Sequence, residues 1–311
     1  MPGAAVPPRF APLPFSSRQL QYAVAVGETK SFRRAAKLCG VSQPSLSAQI
    51  AELESALGVR LFERDRRRVL VTAPGEALVA RARRVLTETE DLAAAARHLG
   101  DPLAGTMRIG VIPTISPYLL PDVVRALRRA FPRLEVRWTE DKTESLVRAV
   151  EEGTLDAALL ALEADLGDLA TEAIARDPFV LAAPRGHALA RATSPLAPRD
   201  LRDTPVLLLD DGHCLRDQAL AVCASARTEE LEFRATSLPT LVQMVASGAG
   251  VTLLPEMSVA TESRRAPIAL RPLADARAFR TVGLVWRPSS PLAPALGEIA
   301  ASIRGVCKKF P

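Results

Sequence analysis

The 311-residue chain is poor in several residue types that carry chemistry in other proteins. It has 3 His and 4 Cys, and aromatic residues make up 4% of it. No Cys/His cluster has the spacing of metal ligands, and neither a glycine-rich phosphate loop nor a Ser/His/Asp order is present. Four cysteines in a cytosolic chain do not form a disulfide framework. We therefore expect no metal, no cofactor and no enzymatic activity, and the role of each thiol depends on its position.

Long apolar runs are also missing. The longest, near residues 157–162, is far shorter than the roughly 18 residues that a membrane-spanning helix needs. The first fifteen residues, MPGAAVPPRFAPLPF, do not have a charged region followed by an apolar one, and their prolines disfavour a signal helix. The sequence predicts a cytoplasmic, nucleoid-associated protein without membrane contact, beginning with a disordered extension.

Charge is distributed unevenly along the chain. Residues 1–100 contain 15 Lys and Arg against 9 Asp and Glu, whereas the remainder contains 25 against 26. The first third therefore carries a net charge of +6 and the rest a net charge of −1. Such an asymmetry predicts a basic module that faces a polyanion, attached to a nearly neutral body with another task.

Helical spacing and capping residues are found in the basic module. Ser31 and Ser42 can each cap a helix, and the second of these helices is predicted to run to Leu57. Between the two, Ala35-Ala36 permits close helix packing and Gly40 can adopt a left-handed turn, as in a helix-turn-helix. An ordinary three-helix bundle is the alternative.

The next segment predicts a small hairpin and a long helix. The hairpin, or wing, lies around residues 64–68 and carries four arginines, which can contact phosphate or simply face solvent. Thr72 and Pro74 then open a helix that we expect to extend through Leu99, about 40 Å at roughly 1.5 Å per residue. We expect so long a helix on so small a head to pair with a second copy of itself.

Beyond Gly105 the pattern changes to alternating strands and helices. The predicted strands are 106–112, 134–140, 155–162, 179–184, 206–212, 231–237, 250–256 and 281–288, and the predicted helices are 121–130, 145–152, one from Cys214, 238–247 and one ending at Val306. Two α/β lobes of this kind leave a cleft at the carboxyl ends of their strands, where ligands commonly bind.

Two sets of segments resemble the LysR-type transcriptional regulators, over nearly all of the chain beyond Phe15. SFRRAAKLCGVSQPSLSAQIAELESALGVRLFER resembles the DNA-binding head of that family. IGVIPTISPYLLP, DDGHCLRDQALAVC, FRATSL and GVTLLP resemble its peroxide-sensing members. The resemblance implies an α/β fold class with an N-terminal winged helix-turn-helix, a long linker helix and a two-lobed, periplasmic-binding-protein-like regulatory domain. It also implies a homotetramer built as a dimer of dimers.

The expected domain boundaries follow from these segments. We expect a disordered extension at 1–15, a winged helix-turn-helix DNA-binding domain at 16–73, a dimerising linker helix at 74–100 and a regulatory domain at 101–311, with lobe I at 101–176 and 281–311 and lobe II at 177–280.

The head is predicted to bind double-stranded promoter DNA. A recognition helix beginning near Ser42 would turn small polar side chains toward the major groove, while arginines neutralise phosphates. The predicted DNA-binding residues are Ser42, Gln43, Pro44, Ser45, Ser47 and Gln49 on the recognition helix, with Arg33, Arg34, Arg66, Arg67 and Arg68 at phosphates. RNA polymerase is the further partner that the resemblance implies.

Two cysteines stand nine residues apart in the body. Cys214 follows Asp210, Asp211 and Gly212, and we expect it in the first turn of a helix, where free amides favour a thiolate and the two aspartates oppose it. On one uninterrupted helix Cys223 would lie about 13 Å away on the opposite face, too far for a disulfide. By resemblance, peroxide oxidises Cys214, Cys223 resolves it, and the helix between them refolds. Two buried structural cysteines are the alternative.

A peroxide pocket is also implied by the resemblance. Its residues are Thr114, Thr143, His213 and Arg280, with Asp217 in support, and Arg216 can help to orient a peroxide. Both threonines fit equally well as ordinary residues at strand ends. Hydrogen peroxide is the expected signal, and glutaredoxin or thioredoxin the expected reductant.

The remaining cysteines are expected to be bystanders. Cys39 lies in the helix-turn-helix bend, where a small apolar side chain suits packing. Cys307 lies near the C-terminus, where we expect it to be exposed and open to adventitious crosslinking.

Three other functions compete with a peroxide-sensing activator. A regulator that binds a small organic effector between its lobes would share the fold, and only the Cys214/Cys223 pair argues against it. The DNA-binding head argues against a thiol peroxidase. It also argues against a solute-binding protein, as does the missing signal sequence.

Overall fold

The computed structural model describes residues 13–64, 69–98, 103–191, 194–223 and 229–308. The chain forms two units, residues 1–94 and 95–311, each with its own hydrophobic core. Most of the predicted extension, residues 1–12, lies outside the described residues.

The first unit has the predicted order of helices and hairpin. Its elements are α1 Ser17–Thr29, α2 Phe32–Leu38, α3 Gln43–Leu57, β1 Phe62–Arg64 and β2 Val69–Val71, followed by α4 Ala73–His98, whose last four residues belong to the second unit. The Ser31 hydroxyl accepts a hydrogen bond from the Arg34 N–H, and the Ser42 hydroxyl accepts one from the Ser45 N–H. Both predicted caps are confirmed, and each supplies an acceptor for a backbone donor that the first helical turn leaves over.

The bend between α2 and α3 also has the predicted geometry. Gly40 has a φ of 65°, in the left-handed region that favours glycine. Ala35 and Ala36 are buried in the same core as Leu46 and Ile50 of α3, so small side chains let the two helices pack closely. β1 and β2 pair antiparallel as the expected hairpin.

Helix α4 begins one residue after Thr72 and extends to His98, while the predicted end at Leu99 lies outside the described residues. Val79 packs into the core of the head. Further along, Val85 and Leu92 are 51% and 72% exposed. These two apolar residues, one heptad apart, leave the helix with an uncovered stripe.

The second unit alternates strands and helices. Its elements are β3 Gly105–Val111, α5 Ser116–Ala130, β4 Leu134–Glu140, α6 Thr143–Glu151, β5 Ala157–Ala161, β6 Ala170–Pro184, β7 Pro205–Leu209, α7 Cys214–Cys223, β8 Glu229–Ala235, α8 Leu238–Ala246, β9 Thr252–Pro255, α9 Glu256–Arg265, β10 Ile268–Pro272, β11 Phe279–Trp286 and α10 Ala293–Cys307, with short 3-10 helices at Ala188–Arg191 and Pro198–Leu201.

One long strand runs through both lobes of this unit. Residues 170–178 of β6 pair with β11, whose other neighbour is β5, followed by β3 and β4. Residues 179–184 of the same strand pair with β9 and β10 instead. The first lobe is therefore built on β3, β4, β5 and β11, and the second on β9 and β10 with the parallel pair β7 and β8. The exact lobe boundaries stay a prediction.

The structure corrects several expected bounds. Strand β7 ends at Leu209 and not at Gly212, because residues 210–212 form the turn into α7. Helix α5 begins at Ser116, not Pro121, because Tyr118 and Leu119 are buried in the core and Pro117 fits the first turn. Strand β6 begins nine residues earlier than predicted, since its first half alternates between exposed and covered residues. Helix α9 escaped prediction because charged residues interrupt its apolar period. Strand β10 escaped because it has only five residues and ends in Arg271 and Pro272.

Candidate functional site: the start of helix α7

Cys214 is the first residue of α7 and its side chain is buried. The preceding turn leaves β7 at Asp210, whose N–H donates to the Ala235 carbonyl of β8. Gly212 has a φ of 84°, a backbone conformation that glycine tolerates and most other residues do not. The turn thus places the thiol where α7 begins, as the sequence predicts.

A cleft of about 1050 Å³ opens beside the thiol. Thr143, the first residue of α6 in the first lobe, lines it together with Cys214, Asp217 and Gln218 of α7. The structure therefore places Thr143, Asp217 and Cys214 on the wall of one cleft, and the contact of these residues with a peroxide stays a prediction.

Several polar atoms near the thiol are buried and unused. The Thr143 hydroxyl, His213 Nε2 and both amide atoms of Gln218 have no hydrogen-bond partner among the described residues. Burying a polar group without a partner is unfavourable, so these atoms favour a small polar ligand. Sequence reasoning missed Gln218, although its position four residues after Cys214 places both on one helix face.

The predicted pocket residues Thr114 and Arg280 are bound to each other. The Arg280 guanidinium is fully buried and donates to the Thr114 hydroxyl at 2.7 Å and to the Thr114 carbonyl at 3.0 Å. Its Nε lies 2.9 Å from Asp177 Oδ2, and the other oxygen of Asp177 accepts from the Met257 N–H. This network joins both lobes near the β6 partner change. A direct role at the peroxide stays a prediction.

Arg216 also has a structural assignment. Its Nε forms an ion pair with Asp211 at 3.0 Å, and its Nη1 donates to the Leu209 carbonyl. Arg234 contacts the second oxygen of the same aspartate at 2.6 Å. Arg216 thus fastens α7 to the turn before it, and its predicted contact with peroxide stays untested.

Burial and nearby charge together favour the neutral imidazole of His213. Burial lowers its pKa, the Lys142 ammonium lowers it further, and only Asp210 acts in the opposite direction. The pKa of Asp210 is itself lowered by a hydrogen bond from the Asp211 backbone and by one from Lys142. His213 directly precedes Cys214 in the chain, and a neutral imidazole can accept a proton at neutral pH.

The four cysteines, all described and all thiols, occupy different surroundings. Cys223 ends α7 in an apolar cluster with Leu208 and Val251, whereas Cys214 belongs to the main core of the body. The continuous ten-residue helix between them separates their α-carbons by about 13 Å along its axis.

The expectation of an exposed Cys307 is wrong. Helix α10 continues to this residue and buries it, and burial followed by the charge of Asp177 raises its thiol pKa to about 11. Cys39 caps the end of α2 and is partly buried, and burial raises its pKa as well.

The predicted DNA-contacting side of α3 is open to solvent. Ser42, Gln43, Pro44 and Ser45 are exposed, and Ser47 and Gln49 are partly exposed. Leu46 and Ile50 point into the core, and the Gln49 amide donates to Glu52.

The arginines predicted at phosphates fall into two groups. Arg33 and Arg34 are exposed, and Arg34 donates to the Thr29 carbonyl. Arg66, Arg67 and Arg68 lie outside the described residues.

The described residues contain neither a metal-binding cluster nor a membrane-spanning helix. Within the described ranges, no group of three or more His, Cys, Asp or Glu side chains is arranged to hold a metal ion. None of the described helices combines the length and apolar character that crossing a bilayer requires.

Comparison with known families accounts for both units. The model of the "bacterial regulatory helix-turn-helix protein, lysR family" matches residues 17–76, and that of the "LysR substrate binding domain" matches residues 100–308. The chain belongs to the LysR family. Its head is the winged helix-turn-helix of that family, and its body is the two-lobed α/β regulatory domain.

Two individual members of the LysR family are similar to the chain over most of its length. The chain is 44% identical to the DNA-binding transcriptional dual regulator OxyR of Escherichia coli K12, over 92% of this chain and 94% of that protein. It is 45% identical to a probable hydrogen peroxide-inducible genes activator of Mycobacterium avium, over 90% of this chain and 92% of the relative.

Solved structures give the same result. A full-length OxyR variant from Pseudomonas aeruginosa matches with a TM-score of 0.75 and 36% identity, over 93% of this chain and 95% of the other. A Corynebacterium glutamicum OxyR variant with hydrogen peroxide bound matches with a TM-score of 0.64 and 32% identity, over 95% and 93%.

Proposed function

We propose that this LysR family protein is a peroxide-sensing transcriptional activator, switched by oxidation of Cys214 and a Cys214–Cys223 disulfide. The observation that carries the proposal is the thiol at the start of α7, next to buried polar atoms of Thr143 and His213 that lack a partner within the described residues. The relatives named as hydrogen peroxide-inducible gene activators support it.

The chemistry consists of two balanced steps. The Cys214 sulfur attacks one peroxide oxygen, the O–O bond breaks, and the departing hydroxide takes a proton to give water and a sulfenic acid. The Cys223 thiol then displaces the sulfenic hydroxyl as a second water and forms the disulfide. His213 can accept the proton of the Cys214 thiol and pass it to the departing hydroxide, because its lowered pKa favours the neutral, basic imidazole. A dithiol reductant such as glutaredoxin or thioredoxin returns both cysteines to thiols.

The second step requires helix α7 to unwind. A disulfide holds its α-carbons within about 7 Å, whereas the ends of α7 are about 13 Å apart. Formation of the disulfide would therefore unfold part of α7. Such a local refolding can change the structure of the domain and so carry a regulatory signal.

The partners follow from the head and the linker helix. The exposed residues of α3 support binding to promoter DNA in the cytoplasm, and the apolar stripe of Val85 and Leu92 supports pairing of two α4 helices. We infer a homotetramer, a dimer of dimers, that acts on RNA polymerase at the promoter. One oxidation per switching event distinguishes such a sensor from a peroxidase that turns over continuously.

Footprinting on promoter DNA tests the proposal. The full chain is compared in reduced and peroxide-treated form with Cys214→Ser, Cys223→Ala and, as a control away from α7, Cys307→Ala. The footprint should change with peroxide in the wild type and the control alone, and mass spectrometry should find a linked 214–223 peptide in both. An identical footprint in reduced and oxidised wild type would contradict the proposal.

A second candidate is a regulator that responds to a small organic effector. The cleft of about 1050 Å³ favours it, because that volume reaches the size of pockets that hold drug-sized ligands and exceeds the needs of a peroxide. A footprint that ignores peroxide but changes with a metabolite mixture would support this candidate.

A further inference from the structure

A lysine of the first lobe donates a hydrogen bond to the turn that leads into Cys214. Lys142 lies between β4 and α6, and its Nζ donates to the Asp211 carbonyl at 2.6 Å. The same nitrogen lies 3.3 Å from Asp210 Oδ2. Both aspartates belong to the turn between β7 and α7 in the second lobe. The contact therefore joins the lobes at the residues that position the reactive thiol.

The turn is shaped to accept this lysine. A Cβ atom on Gly212 would lie 3.1 Å from Lys142 Cδ, which is tighter than ordinary van der Waals contact. The positive φ of Gly212 also disfavours any other residue there. The absence of a side chain at Gly212 thus permits the backbone turn and leaves room for the Lys142 side chain.

Most of the strength of this contact comes from the carbonyl. The side chains of Lys142 and Asp210 are 37% and 38% exposed, and an ion pair of that exposure contributes little. The short hydrogen bond from the ammonium to the Asp211 carbonyl is charge-assisted and stronger. It fixes the backbone of the turn three residues before Cys214.

Lys142 is also linked to the rest of the site. Its neighbour Thr143 lines the cleft beside Cys214. The pKa of His213 is lowered by burial first and by the Lys142 charge second. Lys142 thus contacts the turn before Cys214, lowers the pKa of His213 and directly precedes Thr143 of the cleft.

We propose that Lys142 is a positioning residue for the switch, which holds the Asp210–Gly212 turn in the thiol form and lets go when α7 refolds. This role rests on the proposed function. Because the contact stabilises the thiol form alone, its removal shifts the exchange of the dithiol and oxidised glutathione toward the disulfide and two reduced glutathiones. A charge-assisted hydrogen bond predicts a roughly tenfold higher ratio of disulfide to dithiol.

Redox titration of the full chain in glutathione buffers tests this role. Lys142→Met keeps most of the stem but removes the charge and its donors, and it should raise the ratio of disulfide to dithiol roughly tenfold. Lys142→Arg should restore a ratio close to that of the wild type. Asp210→Asn, which leaves the carbonyl contact in place, should shift the ratio less than Lys142→Met does.

Arg148→Met is the matched control. Arg148 lines the same cleft from α6 but pairs with Glu144 on its own helix, so its loss should leave the ratio unchanged. A Lys142→Met ratio equal to that of the wild type, or an equal shift in Arg148→Met, would overturn the role of Lys142. A wild type that forms no 214–223 disulfide in any buffer would overturn the proposed function and this role together.

Discussion

The two ends of helix α7 have different surroundings: charged side chains fix the turn at its start, and apolar side chains pack around its end. At its start, Cys214 follows a turn fixed by Lys142, Arg216 and Arg234. It packs at the edge of the main core, and buried polar atoms of His213 and Gln218 belong to neighbouring residues of the same segment. At its end, Cys223 lies in a cluster of apolar side chains. Reactivity is expected at the polar end, where charges and protons can be exchanged. The apolar end stores a second thiol in packed surroundings, so that it meets the first only after the helix opens.

The largest expected effect comes from placing a carboxylate at each end of α7. Cys223→Asp places a charge in an apolar cluster, and we expect it to lower the free energy of unfolding by about 3 kcal/mol or more. Cys214→Asp should cost roughly half as much, because Lys142, Thr143 and His213 lie nearby.

Urea unfolding under reducing conditions measures this difference. Trp138 and Trp286 are the two tryptophans of the chain, and both belong to the body, so their fluorescence reports on that unit. Equal losses for the two variants would break the comparison between the ends of α7.

A smaller effect is expected from a substitution within α7, between Cys214 and Cys223. Ala221 is exposed in α7, and Ala221→Gly should destabilise the helix by about 1 kcal/mol. If the disulfide form unwinds α7, only the thiol form loses this free energy, and the ratio of disulfide to dithiol should rise about fivefold in glutathione buffer. Ala93→Gly on α4, also at an exposed position, is the control. An unchanged ratio in Ala221→Gly would mean that α7 stays helical after oxidation.

The smallest effect concerns pH at the polar end. The pKa of His213 is lowered in the folded protein from its ordinary value of 6.5, by burial first and by Lys142 second. As pH falls below 6.5, the unfolded chain binds this proton more readily than the folded one, so folding stability falls. His213→Gln should lack this part of the acid dependence. Melting temperatures between pH 8 and pH 5.5 should therefore fall more steeply for the wild type, and parallel curves would contradict the assignment.

Local signals in the sequence predicted the parts of the fold that short-range physics controls. Ser31, Ser42 and Gly40 predicted the caps and the bend of the head because each acts on its own turn. The start of a helix at Cys214 was predicted from the turn residues before it, whereas its end at Cys223 was not predicted.

Long-range contacts explain what the sequence could not provide. Thr114 and Arg280 were assigned together to the pocket, but their mutual hydrogen bonds join residues 166 positions apart. Lys142 stands 68 positions before Asp210, and a single lysine in a loop has no local pattern. Cys307 was misplaced because nearness to a chain end was taken for exposure, whereas tertiary packing of α10 decides burial.

Strand β6 has a mechanical consequence for the whole body. Because fifteen residues of one strand serve both lobes, the lobes share a backbone rod of about 50 Å. Where β6 changes partners, the buried Asp177 is bound to Arg280 of β11, so the two chain segments that cross between the lobes are tied together. We expect this tie to restrain sliding of one lobe past the other more than rotation about the crossing. A rearrangement of α7 would then change the angle between the lobes.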